Sequence, residues 1–210
     1  MTSSIQRNIR LGLISLGALC AASAQAAIID VSGPNSDFNG TAAAIISAPL
    51  SVEDDAHTNT GQEGFNEQQG VTLGVDLATS TPGSIAAGTV IDSHMLFLNT
   101  AGNAREEHTN VVWTFSGDIL GVMSARNGGN IAASDFLGAP ATTYPGAFTA
   151  RGLESNDSYT IAGNTLTLNM IVTEPGDWIR VVTAAAVPAP GALGLLGLGL
   201  LGLGLRRKVA

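Results

Sequence analysis

The chain predicts an all-β fold, an antiparallel β-sandwich of jelly-roll-like or Ig-like type, set between an N-terminal signal peptide (1–26) and a C-terminal segment (187–210) that holds a transmembrane helix. Three observations predict it. Seven short stretches between residues 71 and 183 are rich in β-branched or aromatic side chains and are punctuated by Gly, Asn, Asp or Pro. One of them alternates strictly, Leu166, Leu168, Met170 and Val172 against Thr165, Thr167 and Asn169, which gives a strand a single apolar face. Long apolar runs with basic flanks lie at the two ends of the chain. The body, 27–186, is large enough for one domain with its own core.

At the N-terminus, Arg7 and Arg10 precede the apolar stretch 11–22, and Ala24 and Ala26 supply the small residues that signal peptidase accepts at positions −3 and −1. Leu19 stands where a lipobox needs a small side chain, so Cys20, the single cysteine of the chain, is expected to leave with the signal. The remaining domain then has no disulfide, thiol nucleophile or thiolate metal site.

Residues 42–46 fit either a strand or a helical turn, because alanine pulls one way and isoleucine the other. Segments 51–70 and 125–154 carry Gly, Pro, Asn and acidic residues and read as long loops. Strands are expected at 71–77, 89–99, 110–115, 119–124, 158–162, 165–173 and 178–183. Gly163-Asn164 suits a type II′ hairpin between two of them. Glu174-Pro175-Gly176-Asp177 then turns the chain again, so the last three segments read as one antiparallel meander. No internal repeat points to a solenoid or propeller.

Few residues carry chemistry. Glu53, Asp54, Asp55 and His57 gather three carboxylates and an imidazole within five residues, donors that suit a divalent ion such as calcium, though without EF-hand spacing. A solvated acidic loop is the simpler reading. Asp92 and His94 share a strand face at a spacing that fits a general-base pair and equally a structural histidine. His108, beside Glu106 and Glu107, reads as a loop ion pair, and Ser116 as a turn residue. Trp113 and Trp178 read as core, whereas Tyr144 lies in a Pro-Gly loop where turn packing competes with a sugar platform. No nucleophile elbow, zinc-protease helix or phosphate loop occurs, so no catalytic residue and no cofactor is read here beyond the possibility of calcium.

Charge excludes one class of partner. Across 27–187 only Arg105, Arg126, Arg151 and Arg180 stand against 17 carboxylates, which leaves a formal charge of −13 and not one lysine. Such a surface repels phosphate polyanions, so no nucleic acid is expected.

The tail is ordered like an address. Val187, Pro188, Ala189 and Pro190 are followed by an apolar run, 191–205, about 22 Å long as a helix against a hydrocarbon core of about 30 Å. Arg206, Arg207 and Lys208 close it and stay cytoplasmic under the positive-inside rule. This order resembles the PEP-CTERM sorting signal of bacterial surface proteins, with Ala189 in place of the usual glutamate. The resemblance covers about residues 187–208 and implies recognition by an exosortase, a membrane-embedded cysteine protease or transpeptidase that cuts near Pro188–Pro190. It also implies a transient hold in the inner membrane through 191–205, and a final place at the cell surface or outside the cell, in bacteria that make exopolysaccharide and biofilm matrix. The expected role is a non-enzymatic structural, adhesive or glycan-associated one, with extracellular polysaccharide as the possible partner; the alternative is a small exported hydrolase of polysaccharide, since a carboxylate pair set apart in space leaves no mark in sequence.

Processing is directly testable: intact-mass analysis of surface-extracted protein should give a form that lacks residues 1–26 and ends near Pro188–Pro190. A mature form that still ends at Ala210 would contradict the sorting reading.

Overall fold

In chain order the strands are β1 (Ile28–Ser32), β2 (Ala44–Ile45), β3 (Glu63–Asn66), β4 (Val71–Thr72), β5 (Leu77–Ala78), β6 (Ser84–Ile85), β7 (Val90–Leu98), β8 (Glu106–Phe115), β9 (Ile119–Met123), β10 (Ser158–Ala162), β11 (Thr165–Val172) and β12 (Asp177–Ala184). One short helix, α1 (Gly129–Ala133), and a 3-10 turn (Asp135–Leu137) lie between β9 and β10. These come from a computed structural model that describes residues 27–185. The signal segment with Ala24 and Ala26, the Val187–Pro190 motif, the apolar run 191–205 and the basic tail lie outside the described residues. No helix among the described residues is long and apolar enough to cross a membrane.

The fold is all-β and antiparallel, apart from the short parallel pair β2–β3. One sheet runs in the order β1-β8-β11-β10. The other runs β2-β3-β7-β12-β9, with β4 added beside β7, and β5-β6 form a separate hairpin. The alternating face of β11 is buried as expected: Leu166, Leu168, Met170 and Val172 join Val111, Trp113 and Phe115 of β8 in a core shared with Leu96, Leu98, Ile179 and Val181 of the second sheet. Trp113 packs against Gly64, where a Cβ would stand 2.7 Å from its ring. The buried Gln62 amide accepts from its Nε1 at 2.9 Å and donates to the His108 carbonyl at 2.7 Å, a polar tie between the sheets.

The second sheet is buried on its other face as well. Phe97, Met95, Trp178 and Val182 point into a second core completed by Val52, Leu73, Ile131 and Leu137 from the segments between strands. That is why every residue of β12 from Asp177 to Thr183 is buried, whereas β11 alternates. It also corrects the expected meander. β11 pairs with β8 and the chain then changes sheets through 174–176, so that β12 lies between β7 and β9. A strand that is apolar on both faces needs a sheet covered on both sides. The Gly163-Asn164 hairpin is formed, with Gly163 at φ +61°. Strands β1, β3 and β6 are additions to the expected set, β3 lies inside the stretch read as a loop, and the expected strand at 71–77 is broken, leaving β4 at its start and β5 at its end.

Both ends of the described chain leave from one corner. The Ala27 amide donates to Ser116 Oγ at 2.8 Å. The Ala184 amide donates to the Asp118 carbonyl at 2.8 Å, and the Ala185 amide to the Val90 carbonyl at 3.2 Å. Gly117, between those two anchors, passes so close to the Ala184 carbonyl that a Cβ would stand 2.1 Å from its oxygen.

The register gives a stability prediction. Leu168→Asp places an unpaired carboxylate in the shared core and should cost several kcal/mol. Thr167→Asp, on the half-exposed outer face, should cost about 0.5 kcal/mol or less. Urea unfolding of the two variants measures the difference.

Candidate functional site

The most developed polar cluster lies on the outer face of the second sheet. Arg180, at the middle of β12, is fully buried, and Glu67 takes it bidentately, Nε to Oε2 at 2.7 Å and Nη2 to Oε1 at 2.9 Å. Its remaining nitrogen, Nη1, donates to the Ile131 carbonyl at 2.8 Å, to Ser134 Oγ at 2.6 Å and to Asp135 Oδ1 at 3.1 Å. The guanidinium also stands 5.3 Å from the centre of the Tyr144 ring. Ser93 Oγ donates to Glu67 at 2.6 Å. Arg151, also fully buried, reaches Asp135 at 3.4 Å. Burial works against the Arg180 cation, but Glu67 and then Asp135 outweigh it and hold it charged. Burial pushes the Tyr144 hydroxyl up, with the Glu67 charge acting the same way.

Chemically this cluster is a clasp. Two cations and two carboxylates neutralise one another, and Arg180 and Glu67 have no exposed surface with which to meet a substrate. Its partners come from 131–135 and Tyr144, so the pairing closes the 125–154 segment over the sheet. Tyr144 packs there, its hydroxyl accepting from the Ala139 amide at 2.8 Å, in line with turn packing.

The residues singled out from the acidic loop separate. Asp54 and Asp55 meet Glu174, their carboxylate oxygens lying within 4.8 Å of one another. His57 turns to Glu63 at 2.8 Å, and the Glu53 carboxylate accepts from Ser51 Oγ at 3.4 Å. Asp55 also accepts from the Gly102 amide at 2.7 Å. The one position of this set that sequence did not indicate is Glu174, which the sheet change brings to the loop from more than a hundred residues away.

His94 and His108 are both fully buried. His94 is buried, its Nδ1 on Asn66 Oδ1 at 2.9 Å and its Nε2 on Thr183 Oγ1 at 3.1 Å, and burial holds it down to about 3. The two contacts occupy both ring nitrogens, so no general-base pair with Asp92 forms through them. His108 departs from the expected loop ion pair: it is buried, accepts from the Gln62 amide at 2.9 Å and bonds the Pro34 carbonyl at 2.9 Å. Glu106 instead holds the loop before β2, accepting from the Phe38 amide at 2.9 Å and from Asn39 Nδ2 at 2.6 Å. Ser116 is a turn residue, as expected.

One carboxyl is strongly perturbed. Burial first, and then the charges of Asp157 and Glu154, push Asp177 up to about 9, and its side chain is hydrogen-bonded to Asp157. Asp157 is occupied on both oxygens by the Glu154 and Ile171 amides, at 2.6 and 2.8 Å. The two carboxyls are bonded directly, closer than the about 5–9.5 Å that separates the carboxyls of glycosidases. The cavity described, about 280 Å³ and lined by Leu73, Val75, Leu77, Ala133 and Phe136 with Asp76 and Asn130, contains neither residue.

The described domain is thus a β-rich body with one charged cluster, that of Arg180 and Glu67, buried in its interior. Residues 186–208 match the family model of the PEP-CTERM protein-sorting motif. The chain is a PEP-CTERM domain-containing protein, and the motif implies export and processing by an exosortase. No curated protein and no solved structure matches the chain.

Two predictions come from these groups. Arg180→Met strands Glu67 without its cation and should cost about 3–5 kcal/mol. Limited proteolysis of that variant should cut first within 125–154, because the clasp that closes this segment is lost. The second concerns pH. Asp177 holds a proton in the folded state that the unfolded chain releases near the ordinary carboxyl value of 3.8, so stability falls as pH rises from about 4 to 9, by up to about 1.4 kcal/mol per unit. His94, held down from 6.5 to about 3, acts in the opposite sense and costs stability as pH falls through that window. Urea midpoints should therefore decline from pH 6.5 to 9, and Asp177→Asn should flatten the decline.

Proposed function

We propose that residues 27–187 form a β-sandwich domain with a non-enzymatic structural, adhesive or glycan-associated role in biofilm or exopolysaccharide matrix. On this reading signal peptidase removes residues 1–26 and an exosortase acts at Val187–Pro190. The inner membrane holds 191–205 until then, and the mature domain ends at the cell surface or outside the cell. The single observation that carries the non-enzymatic reading is the pairing of Arg180 with Glu67, both side chains fully buried and engaged with each other, with Asp135 and with Ser134. The sandwich reading draws support from the core that the two large sheets share. No resident cofactor is part of the proposal, and calcium enters it only through the Asp54–Asp55–Glu174 group, of which Asp55 and Glu174 are exposed.

A polysaccharide hydrolase is the second reading, favoured by the raised Asp177 carboxyl alone. Surface-extracted mature protein on a glycan array, with a parallel assay for released reducing ends, separates the two, with and without calcium. Retention on glycan without new reducing ends is expected. Turnover abolished by Asp177→Asn would overturn the first reading in favour of the second.

A further inference from the structure

Strands β1, β10, β2 and β9 end the two large sheets, and three of them are closed to further pairing. β1 is broken by a register shift between Ile28 and Asp30 and carries Asp30 exposed. β2 is two residues long. β9 is covered by Thr81, which bridges Val122 in antiparallel fashion and accepts from its amide at 3.0 Å. A bulge, an outward charge, shortness and a covering segment are the ordinary means by which a sheet edge is kept from adding a strand.

β10 has none of them. Its five residues pair with β11 in unbroken register, from Ser158–Asn169 to Ala162–Thr165, and include no charge, proline or glycine. The tight hairpin makes Ala162–Thr165 a hydrogen-bonded pair, with Thr160–Thr167 and Ser158–Asn169 following, so the N–H and C=O groups of Tyr159 and Ile161 face away from β11. No strand meets them among the described residues. The edge is also held in place: Tyr159 and Ile161 pack against the shared core, and the Tyr159 hydroxyl lies 2.9 Å from Thr81 Oγ1. Ser158, Thr160 and Ala162 stand exposed on the outer face beside Thr165, Thr167 and Asn169 of β11. A domain with a formal charge of −13 thus has an uncharged strip along this edge.

The outward groups are spaced for one partner in particular. Across a two-fold axis through Thr160, Tyr159 stands opposite Ile161 of an identical antiparallel strand, and Ile161 opposite its Tyr159, so every outward N–H meets an outward C=O. Charge selects the same partner. The strip offers neither a basic nor an acidic segment a counter-charge, whereas an identical uncharged strip brings the two acidic bodies together where their repulsion is least. We propose that β10 is a self-association edge, through which two copies of this domain join their β1-β8-β11-β10 sheets into one continuous sheet. The contact is isologous and closes in a dimer. An edge of five residues is about 17 Å long and buries less than the about 1,200 Å² of a stable interface, so the dimer is weak and forms at high protein density. At the ends of the strip lie Asp157, next to Ser158, and Asp118, beside Gly163; the antiparallel pairing brings one toward the other, and salt that screens them favours the pair.

The test uses mature protein extracted from the cell surface, whose body has no cysteine. Thr160→Cys should cross-link under mild oxidation into a reducible species of doubled mass, because position 160 faces its own counterpart with Cα atoms about 4.5 Å apart, within disulfide range. Ala162→Cys, exposed on the same face, should give at least about tenfold less, since it faces Ser158 and lies about 14 Å from its counterpart. By sedimentation, the mass of the native protein should rise toward that of a dimer with concentration, and more so at high salt than at low. Thr160→Asp and Thr160→Lys each set like charges face to face and should weaken association about fivefold, and an equimolar mixture of the two should restore it. Ser32→Asp, on the exposed face of β1, should leave association unchanged. Urea midpoints equal to the native one confirm that each variant is folded. A native protein that stays monomeric at every concentration and salt would overturn the proposal. So would equal cross-linking at 160 and 162, or equal weakening by Thr160→Asp and Ser32→Asp. Failure of the mixture to restore association would mean that β10 does not pair with itself, and overturns it as well.

Discussion

The arrangement of this domain depends on satisfying one buried guanidinium. Arg180 sits in the middle of a central strand, between β7 and β9, where burying an unpaired cation would cost many kcal/mol. Glu67 meets two of its nitrogens and the 131–135 segment meets the third. That demand closes an otherwise irregular stretch of chain over the sheet. Once closed, the stretch places Ile131, Leu137 and Phe148 against Trp178 and its neighbours, and the apolar gain of a second core offsets the desolvation of the pair. Sheet burial on both faces and the clasp are thus one device.

The same economy of charge bears on function. A chain with four arginines and 17 carboxylates in its body has few cations to place, and two of the four are spent inside. Arg105 and Arg126 remain outside, each paired with a glutamate. The surface is left acidic. An exported domain with this build resists association with other polyanions while its interior is held without disulfide.

How much of this was legible depends on how local the signal was. The β11 alternation, the Gly163 turn and the burial of Trp113 and Trp178 follow from spacing and residue type within a few positions, and they stand as read. β3 was not legible, because Glu63, Gly64 and Asn66 read as loop residues; they form a strand since Gly64 lets Trp113 pack over it and Asn66 reaches His94 and the Ile28 amide. His108 was misread for a related reason. Its neighbours in sequence are acidic, but its neighbours in space are the Gln62 amide and the Pro34 carbonyl. The meander failed because a turn motif such as Glu-Pro-Gly-Asp states that the chain reverses and does not state which sheet receives it.

The sequence by itself determined the β class, the hairpin register, the acidic balance and the sorting motif with the export it implies, since each rests on composition or on contacts within a short window. Only the tertiary structure decided which charges are buried together, that Glu174 rather than His57 joins Asp54 and Asp55, and that Ala27 and Ala185, the ends of the described residues, share one corner. The physical reason is the same in each case. Periodicity sets which face of a strand is apolar, whereas the pairing of Arg180 with Glu67, 113 positions apart, is set by the closure of whole segments over a sheet, and no window of local sequence contains both partners.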